Sequence, residues 1–384
     1  MDTRSLTPEQ LQEAIEQNKS IHSEFFDLSF AKSINKHVLE PLASTYFRSV
    51  FIGFEELPER SNPSTPLIFA SNHSGMAFPW DGIIYVSGMA KLGNFGKNIV
   101  RPLTSPMLSM STLMNPYLIR DLWKRVGSID ATTLNFETMM QFDDYNVLIY
   151  PEGVPGIAKG FSRRYQLQRM STSSLRMALK YRTDIIPVAC VNGEYINPYH
   201  YSQSWVDRLF QLIGIPFLPL GPITLLLLLQ PWIFYMGFPA KLTFVRGRRI
   251  KPYEMLDKPF EDISREELEG LRDQIGEIMQ GELNKAVEQY GRKPYRWGEF
   301  FRSMWRQRKH FPFYLPFGWP LLFAEFERQW KTRKPHEIKL ELNIFSCFRI
   351  ILQNPFVLTY YIPVLGWIPF LIKGYRNAQI KPKK

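Results

Sequence analysis

A histidine and an aspartate in this sequence have the side chains and the placement that proton transfer requires. His73 follows a short apolar run, Leu67–Ser71, and Asp81 comes after seven intervening residues. An imidazole, with a reference pKa near ~6.5, accepts a proton at neutral pH, and a carboxylate on its other nitrogen fixes the tautomer and stabilises the imidazolium. The pair therefore predicts either a general base with its orienting acid or a structural hydrogen bond.

A second group of polar residues follows another apolar run, Val147–Tyr150. Glu152 and Gly153 come directly after it. The cations that follow before residue 170 are Lys159, Arg163, Arg164 and Arg169. Ammonium and guanidinium groups near a strand end bind carboxylate and phosphate oxygens. The segment predicts an anion-binding rim, and the alternative is a solvated basic turn.

The elements that must carry these residues alternate between two patterns. Runs rich in β-branched and aromatic residues predict strands at 48–56, 67–71, 145–150, 184–191 and 241–246. Segments with helical patterns lie between and beside them, at 8–18, 30–46, 82–90, 135–142, 169–181 and 264–290. Strands that alternate with helices favour an α/β fold with a mixed, mostly parallel sheet flanked by helices.

Charge divides the chain into three predicted parts. We expect an N-terminal helical segment at 1–47, a main domain at 48–291 and a C-terminal extension at 292–384. The extension carries 18 basic and five acidic side chains, a net charge of +13 within a chain of +11 overall. A basic surface attracts phosphates, whether they belong to nucleic acid or to anionic lipid.

Two long uncharged runs, 210–240 and 350–372, bear on a membrane. Each is long enough to cross a hydrocarbon layer of ~30 Å as a helix. Both contain several prolines, each of which costs a helix interior ~3 kcal/mol or more. We therefore expect broken segments that enter one leaflet, or else buried core segments. The polar, acidic N-terminus lacks a secretory signal, so the expected location is the cytoplasmic face of a membrane.

Several site classes lack their sequence motifs. The two cysteines, Cys190 and Cys347, are far apart and form no CxxC pair. The histidines have no HExxH spacing, so no metal site is expected, and no GxSxG or Walker A motif occurs. His22 and Asp27 have a literal His-x₄-Asp spacing, but they lie in an acidic segment that no predicted strand precedes. We do not place the active site there.

The order and spacing of four motifs resemble the glycerolipid acyltransferase superfamily, of lysophosphatidate acyltransferase type. The first is Asn72-His73 with Asp81, in the Asn-His-Ser-Gly form of a bacterial branch. The others are Lys124–Ile129, Tyr150–Gly153 and Ile186–Val188, and Lys159–Arg169 is similar to a stretch of the same branch. The resemblance runs from about residue 48 to residue 290.

This resemblance implies an acyltransferase that moves a fatty acyl group from a thioester to a lipid hydroxyl. It implies that His73 is the base and Asp81 its partner. The residues it implies for substrate binding are Asn72, Glu152, Gly153, Lys159, Arg163 and Arg164. The donor would be acyl-CoA or acyl carrier protein, the acceptor a lysophospholipid or glycerolipid of a membrane, and no cofactor would take part.

Departures from the family pattern leave alternatives open. The usual histidine-to-aspartate interval has four residues, and here Phe78 occupies the customary acid position. Two usual arginines are missing, and Pro155 stands at one of those places. A neutral acylglycerol acceptor therefore stays open, as does an inactive lipid-binding scaffold. From another class, Arg292–Lys309 with its interleaved aromatics could bind nucleic acid.

Overall fold

A seven-stranded mixed sheet forms the centre of the molecule. The computed structural model describes residues 6–74, 78–96, 99–110, 114–198, 200–201, 203–211, 220–221, 226–227, 229–256 and 258–373. Its strands are β1 Val50–Ile52, β2 Ile68–Ser71, β3 Ile99–Thr104, β4 Ile129–Asp130, β5 Tyr145–Ile149, β6 Ile185–Val191 and β7 Thr243–Arg246.

The strand order is β1-β7-β6-β2-β5-β3-β4. All neighbouring pairs are parallel except β6 and β7, which are antiparallel. The central strands β2, β5 and β6 are buried at every position. This explains their nearly continuous apolar sequences, because a parallel sheet covered on both faces has no solvent side. The expected mixed, mostly parallel sheet is present.

Helices cover both faces of the sheet. They are α1 Pro8–Asn18, α2 Leu28–Ile34, α3 Trp80–Leu92, α4 Pro106–Met110, α5 Leu122–Arg125, α6 Thr133–Met139, α7 Val154–Ala158, α8 Ser173–Lys180, α9 Ser204–Gln211, α10 Pro252–Met255, α11 Arg265–Tyr290, α12 Trp297–Arg306, α13 Trp319–Thr332, α14 Ile344–Gln353 and α15 Trp367–Lys373.

Two of the helices predicted from the sequence, α1 and α11, begin at N-terminal capping boxes. Thr7 begins α1 with a capping box completed by Gln10, and Ser264 begins α11 with one completed by Glu267. In each box two otherwise unpaired backbone donors gain side-chain acceptors. The capping box marks the point at which each of these helices begins.

Other boundaries differ from the sequence prediction. The segment expected as one helix at 30–46 is a short α-helix, α2, followed by π-helical turns at Asn35–Leu39 and Leu42–Tyr46. Helix α8 begins at Ser173 rather than near residue 169. Strand β3 was not predicted, because Arg101 and Pro102 interrupt its apolar pattern. A proline inside a run normally argues against a central strand.

Alternating side chains of the central strands enter two cores on opposite faces of the sheet. On β2, Phe69 belongs to one core, and Ile68 and Ala70 belong to the other. The first core also includes buried side chains from both ends of the chain, such as Phe30 and Phe326, whose ring centroids lie 5.8 Å apart. The side-chain packing thus continues across residue 291, where the sequence suggested a domain boundary.

The two uncharged runs have different outcomes. Most of 212–228 lies outside the described residues. In 350–372 the chain forms the end of α14, a 3₁₀ segment at Pro355–Tyr360 and most of α15. None of the helices in the described ranges is both long enough and apolar enough to cross a bilayer.

Candidate functional site

The carboxyl ends of the three central strands bring the predicted site residues to one edge of the sheet. Strand β2 lies between β6 and β5 and is parallel to both. His73 comes two residues after β2, and Glu152 comes three residues after β5. The carboxyl ends of parallel strands form the crevice where α/β folds bind ligands. The two sequence motifs therefore meet although 79 positions separate them.

Asn72 joins β2 to β6 through its side chain. Its Nδ2 donates to the carbonyl oxygen of Cys190 at 3.1 Å, and its Oδ1 accepts from the Cys190 N–H at 2.7 Å. The side chain is buried, and a buried amide paired at both ends fixes the backbone that carries it. The sequence analysis expected Asn72 to bind substrate. In the structure its side chain binds the backbone of Cys190 and so holds the chain that leads into His73.

Two charged side chains hold the backbone of His73. Oε1 of Glu152 accepts from the His73 N–H at 2.8 Å, and Oε2 accepts from the N–H of Gln168 at 2.6 Å. Nζ of Lys159 donates to the His73 carbonyl oxygen at 2.8 Å. Burial raises the pKa of the Glu152 carboxyl, whereas Lys159 and the two N–H donors lower it. The backbone that presents the imidazole is thus fixed on both sides.

The imidazole itself is half-buried and stacks on Tyr150. The two ring centroids are 4.1 Å apart, and the planes are inclined by 18°. Burial, and secondarily the Lys159 cation, lower the pKa of His73 to about 3. The ring is therefore neutral at physiological pH, and a neutral imidazole can accept a proton.

Asp81 lies in the first turn of helix α3, and its carboxyl is buried. Within the described residues no hydrogen bond joins it to the His73 ring. Burial raises the pKa of Asp81, while the nearby Ser74 hydroxyl lowers it. Tyr150 lies between His73 and the start of α3. Its ring stacks on the imidazole, and its hydroxyl oxygen packs against Gly82, where an added Cβ would lie only 3.0 Å away. Residues 75–77, between His73 and Asp81, lie outside the described residues.

Lys159 does not face solvent as an anion-binding rim would require. Its Nζ lies 3.2 Å from a carboxylate oxygen of Glu194, and both side chains are 0% exposed. Glu194 also accepts from the backbone N–H of Tyr165 at 2.9 Å. The sequence analysis did not single out Glu194, although it follows β6 closely, as Glu152 follows β5. The buried ion pair ties the Lys159 segment to the end of β6.

Two glycines allow the Glu152 segment to approach His73. Gly153 has a φ of +58°, a conformation that glycine adopts without the Cβ penalty of other residues. A Cβ on Gly156 would lie 2.6 Å from the Cβ of Glu152 and 2.9 Å from that of His73. Helix α7 can therefore pack against the histidine only with glycine at position 156.

Arg163 and Arg164 lie on an exposed 3₁₀ turn that follows Lys159. The Arg164 guanidinium lies 5.0 Å from the ring centroid of Phe161. In the described part of the chain neither arginine has an acidic partner. These two, unlike Lys159, are available to an anion from solution.

The described residues around His73 offer no ready set of metal ligands. Across the described ranges no three His, Cys, Asp or Glu side chains converge as metal ligands do. The titratable groups described around His73 include its imidazole, the buried carboxyls of Asp81, Glu152 and Glu194, and the ammonium of Lys159. This set can transfer a proton.

Comparisons with known proteins give limited similarity. No protein-family model matches the chain. An uncharacterized protein of Mycobacterium tuberculosis (strain ATCC 25618 / H37Rv) is 24% identical over 222 residues, which cover 56% of this chain and 59% of the relative. One of Mycobacterium leprae (strain TN) is 25% identical over 226 residues, covering 57% and 58%. The chain thus spans less than two thirds of the length of these relatives.

Among solved structures, the 1-acyl-sn-glycerophosphate (LPA) acyltransferase PlsC from Thermotoga maritima is similar over 71% of this chain and 95% of its own. The sequences are 12% identical, and the TM-score is 0.32. A similarity of this size assigns no activity. The function is therefore argued from the residues.

Proposed function

We propose that the protein is an acyltransferase that moves a fatty acyl group from a thioester to a hydroxyl of a lysophospholipid or glycerolipid. The supporting observation is the hydrogen bond between Glu152 and the His73 backbone. It joins the two sequence motifs on which the resemblance to glycerolipid acyltransferases chiefly depends. The same contact presents a neutral imidazole at the carboxyl edge of the sheet, where a substrate can reach it.

The imidazole of His73 acts as general base on the acceptor. It takes the proton from the lipid hydroxyl while that oxygen attacks the carbonyl carbon of the thioester. A C–O bond forms, and the tetrahedral oxyanion then collapses with cleavage of the C–S bond. The departing thiolate receives the proton from the imidazolium, which restores the base. Positioned proton transfer of this kind contributes about 10²–10⁴ in rate.

The second requirement is a negative charge that stabilises the imidazolium. Asp81 is assigned this part because its carboxyl is close enough to add to the effect of burial in raising the pKa of Tyr150, which stacks on the His73 ring. Hydrogen bonds of a catalytic site are often long before substrate binds and tighten in the complex. The donor is acyl-CoA or acyl carrier protein, and no further cofactor takes part in the proposed reaction.

The acceptor of this reaction is assigned from the exposed cations. Arg163 and Arg164 are exposed near the His73 support and have no acidic partner in the described ranges. A phosphate-bearing lysophospholipid fits them, since one guanidinium group can donate two parallel hydrogen bonds to two oxygens of a phosphate. A neutral acylglycerol is the alternative acceptor if these arginines have no effect on the reaction.

Replacing the proposed base tests the function. His73→Ala should lower acyl transfer from an acyl-CoA to a lysophospholipid by about 10²–10⁴. His22→Ala is the matched control, because the half-buried His22 ring pairs with Asp144 at 2.9 Å, at the amino end of β5 rather than at the carboxyl edge that carries His73. Turnover above about a tenth of the wild-type value in a folded His73→Ala protein would exclude the general base. Absence of any acyl transfer by the wild-type protein, over a panel of acceptors and both carriers, would exclude the function.

A further inference from the structure

Helix α12 exposes an aromatic face to solvent. Trp297, Phe301 and Trp305, spaced four residues apart, are exposed on it, and Trp305 reaches 70%. Residues four apart lie on the same side of a helix, whereas Phe300 points inward and is buried. Large aromatics on one helix face are uncommon on a surface that only water contacts.

Cations accompany these aromatic rings. Arg302, Arg306, Arg308 and Lys309 are exposed, and in the described ranges none of them forms an ion pair. The Arg308 guanidinium lies 4.9 Å from the Trp305 ring centroid. The region thus combines uncompensated positive charge with exposed apolar rings, which is the composition of helices that lie in a membrane interface.

The apolar surface continues beyond α12. The ring of Phe311 lies 5.8 Å from that of Phe317. His310 contacts the carbonyl oxygen of Leu342 at 3.0 Å, which brings the start of α14 next to the end of α12. We call helix α12, the segment 308–317 and helix α14 together the docking face.

Helix α14 contributes the most exposed apolar side chains. Phe345, Phe348 and Leu352 are 81%, 68% and 82% exposed, while Cys347 and Ile350 on its other side are buried. The one cation of this helix, Arg349, is partly exposed next to them and pairs with Glu341. A platform for single-stranded nucleic acid would place cations along such a face, because its affinity depends on phosphate contacts. On α14 the cation is already paired with a carboxylate and the three exposed side chains are apolar, which favours lipid.

A series of aromatic contacts links the docking face to the candidate site. Ring centroids lie 5.1 Å apart for Phe161 and Tyr195, 5.9 Å for Tyr195 and Tyr295, and 5.2 Å for Tyr295 and Trp297. Phe161 is also the ring that Arg164 covers. The first turn of α12 therefore lies near the turn that carries Arg163 and Arg164.

We propose that the docking face binds the surface of an anionic lipid bilayer. The aromatic and aliphatic side chains enter the interface, and the four cations bind lipid phosphates. Such binding would place the Arg163–Arg164 turn at the same lipid surface. The proposal goes beyond acyl transfer, since binding requires no turnover at His73.

Co-sedimentation of the full chain with vesicles tests this proposal. The probes are vesicles of phosphatidylcholine alone and of phosphatidylcholine with a quarter phosphatidylglycerol. We expect tighter binding to the anionic vesicles and partial, not complete, release in 0.5 M salt, because salt screens only the charged component. Complete release, or tighter binding to a poly-dT oligonucleotide than to vesicles, would overturn the proposal in favour of a charge-only or nucleic-acid surface.

Variants separate the two components. Phe301→Ala with Trp305→Ala should weaken binding to both vesicle types at least tenfold. Arg306→Gln with Arg308→Gln and Lys309→Gln should remove the preference for anionic vesicles. Leu92→Ala and Lys36→Gln, at exposed positions outside the docking face, are the matched controls. Circular dichroism confirms folding, and unchanged binding in both folded variants would contradict the proposal.

Vesicle binding by the docking face does not depend on acyl transfer at His73. His73→Ala should bind vesicles as the wild-type protein does. If the protein transfers acyl groups but does not bind vesicles, only the proposal for the docking face is wrong. If it binds vesicles but does not transfer acyl groups, only the proposed enzymatic function is wrong.

Discussion

The carboxylate of Glu152 accepts a 2.8 Å hydrogen bond from the backbone N–H of His73. The carbonyl of the same histidine accepts a hydrogen bond of the same length from Lys159. Lys159 in turn pairs with Glu194 at the end of β6. The position of the imidazole is therefore set by buried charges that contact the main chain of His73, and among the described residues no hydrogen bond engages its ring nitrogens.

Glu152→Gln should weaken this support. An amide offers one acceptor oxygen where the carboxylate offers two, so its NH₂ group must face either the N–H of His73 or that of Gln168. A buried donor left without an acceptor costs about 1–3 kcal/mol. We expect the free energy of unfolding in urea to fall by that amount and acyl transfer to fall with it.

Glu288→Gln provides the control for this change. Glu288 is exposed on α11, and its substitution should alter neither stability nor acyl transfer. A Glu152→Gln protein with wild-type stability and activity would show that the two hydrogen bonds to Glu152 do not support the site.

Lys159→Met should shift the pH dependence of the reaction. A general base works in its neutral form, so kcat/KM rises with pH through the pKa of His73. Lys159 contributes to lowering that pKa, and burial contributes more. Removing the cation raises the pKa toward the ordinary value for histidine. The acid limb of the kcat/KM profile, and the NMR titration of the ring, should therefore move to higher pH.

A double variant separates this electrostatic effect from instability. Lys159→Met alone leaves the Glu194 carboxylate buried without its partner, which costs about 3–5 kcal/mol. Lys159→Met with Glu194→Gln removes both charges and should recover part of the lost stability while keeping the shifted acid limb. An acid limb that stays at the wild-type pH in both folded variants would show that Lys159 does not influence the base.

Regular patterns made much of the fold predictable. The continuous apolar runs of β2, β5 and β6 predicted the central strands, and the helical patterns at 8–18 and 264–290 predicted α1 and α11, which begin at capping boxes. Strand β3 was not predicted from the sequence, because Arg101 interrupts its apolar pattern. Its guanidinium is buried and donates to the carbonyl oxygens of Gly127 and His22. These acceptors come from distant segments, so a local pattern could not indicate that the arginine is paired.

The site was predictable in its location but only partly in its contacts. Motif order placed His73 and Glu152 at strand ends, and parallel pairing brings such ends together. The sequence could not show that Lys159 faces Glu194, since that contact depends on how the chain from α7 to residue 165 folds over the end of β6. The sequence alone does not distinguish a lysine that forms a buried ion pair from one that is exposed to solvent.

Charge reversal of the exposed arginines should distinguish the two classes of acceptor. Arg163 and Arg164 are exposed and have no acidic partner in the described ranges. Arg163→Glu with Arg164→Glu should raise the KM for a phosphate-bearing lysophospholipid about tenfold, which corresponds to about 1.4 kcal/mol of binding. The effect should shrink at high salt, because exposed charges are screened.

The matched controls for this reversal are a second acceptor and a second site. The KM for a neutral acylglycerol should stay unchanged in the Arg163→Glu, Arg164→Glu protein, since that acceptor carries no phosphate. Lys36→Glu, at an exposed position on the segment after α2, should change neither KM. An equal rise in KM for both acceptors would assign the two arginines to the thioester donor, whose CoA phosphates are common to both reactions. An unchanged KM for both would leave the pair as surface charges, and the neutral acylglycerol would become the favoured acceptor.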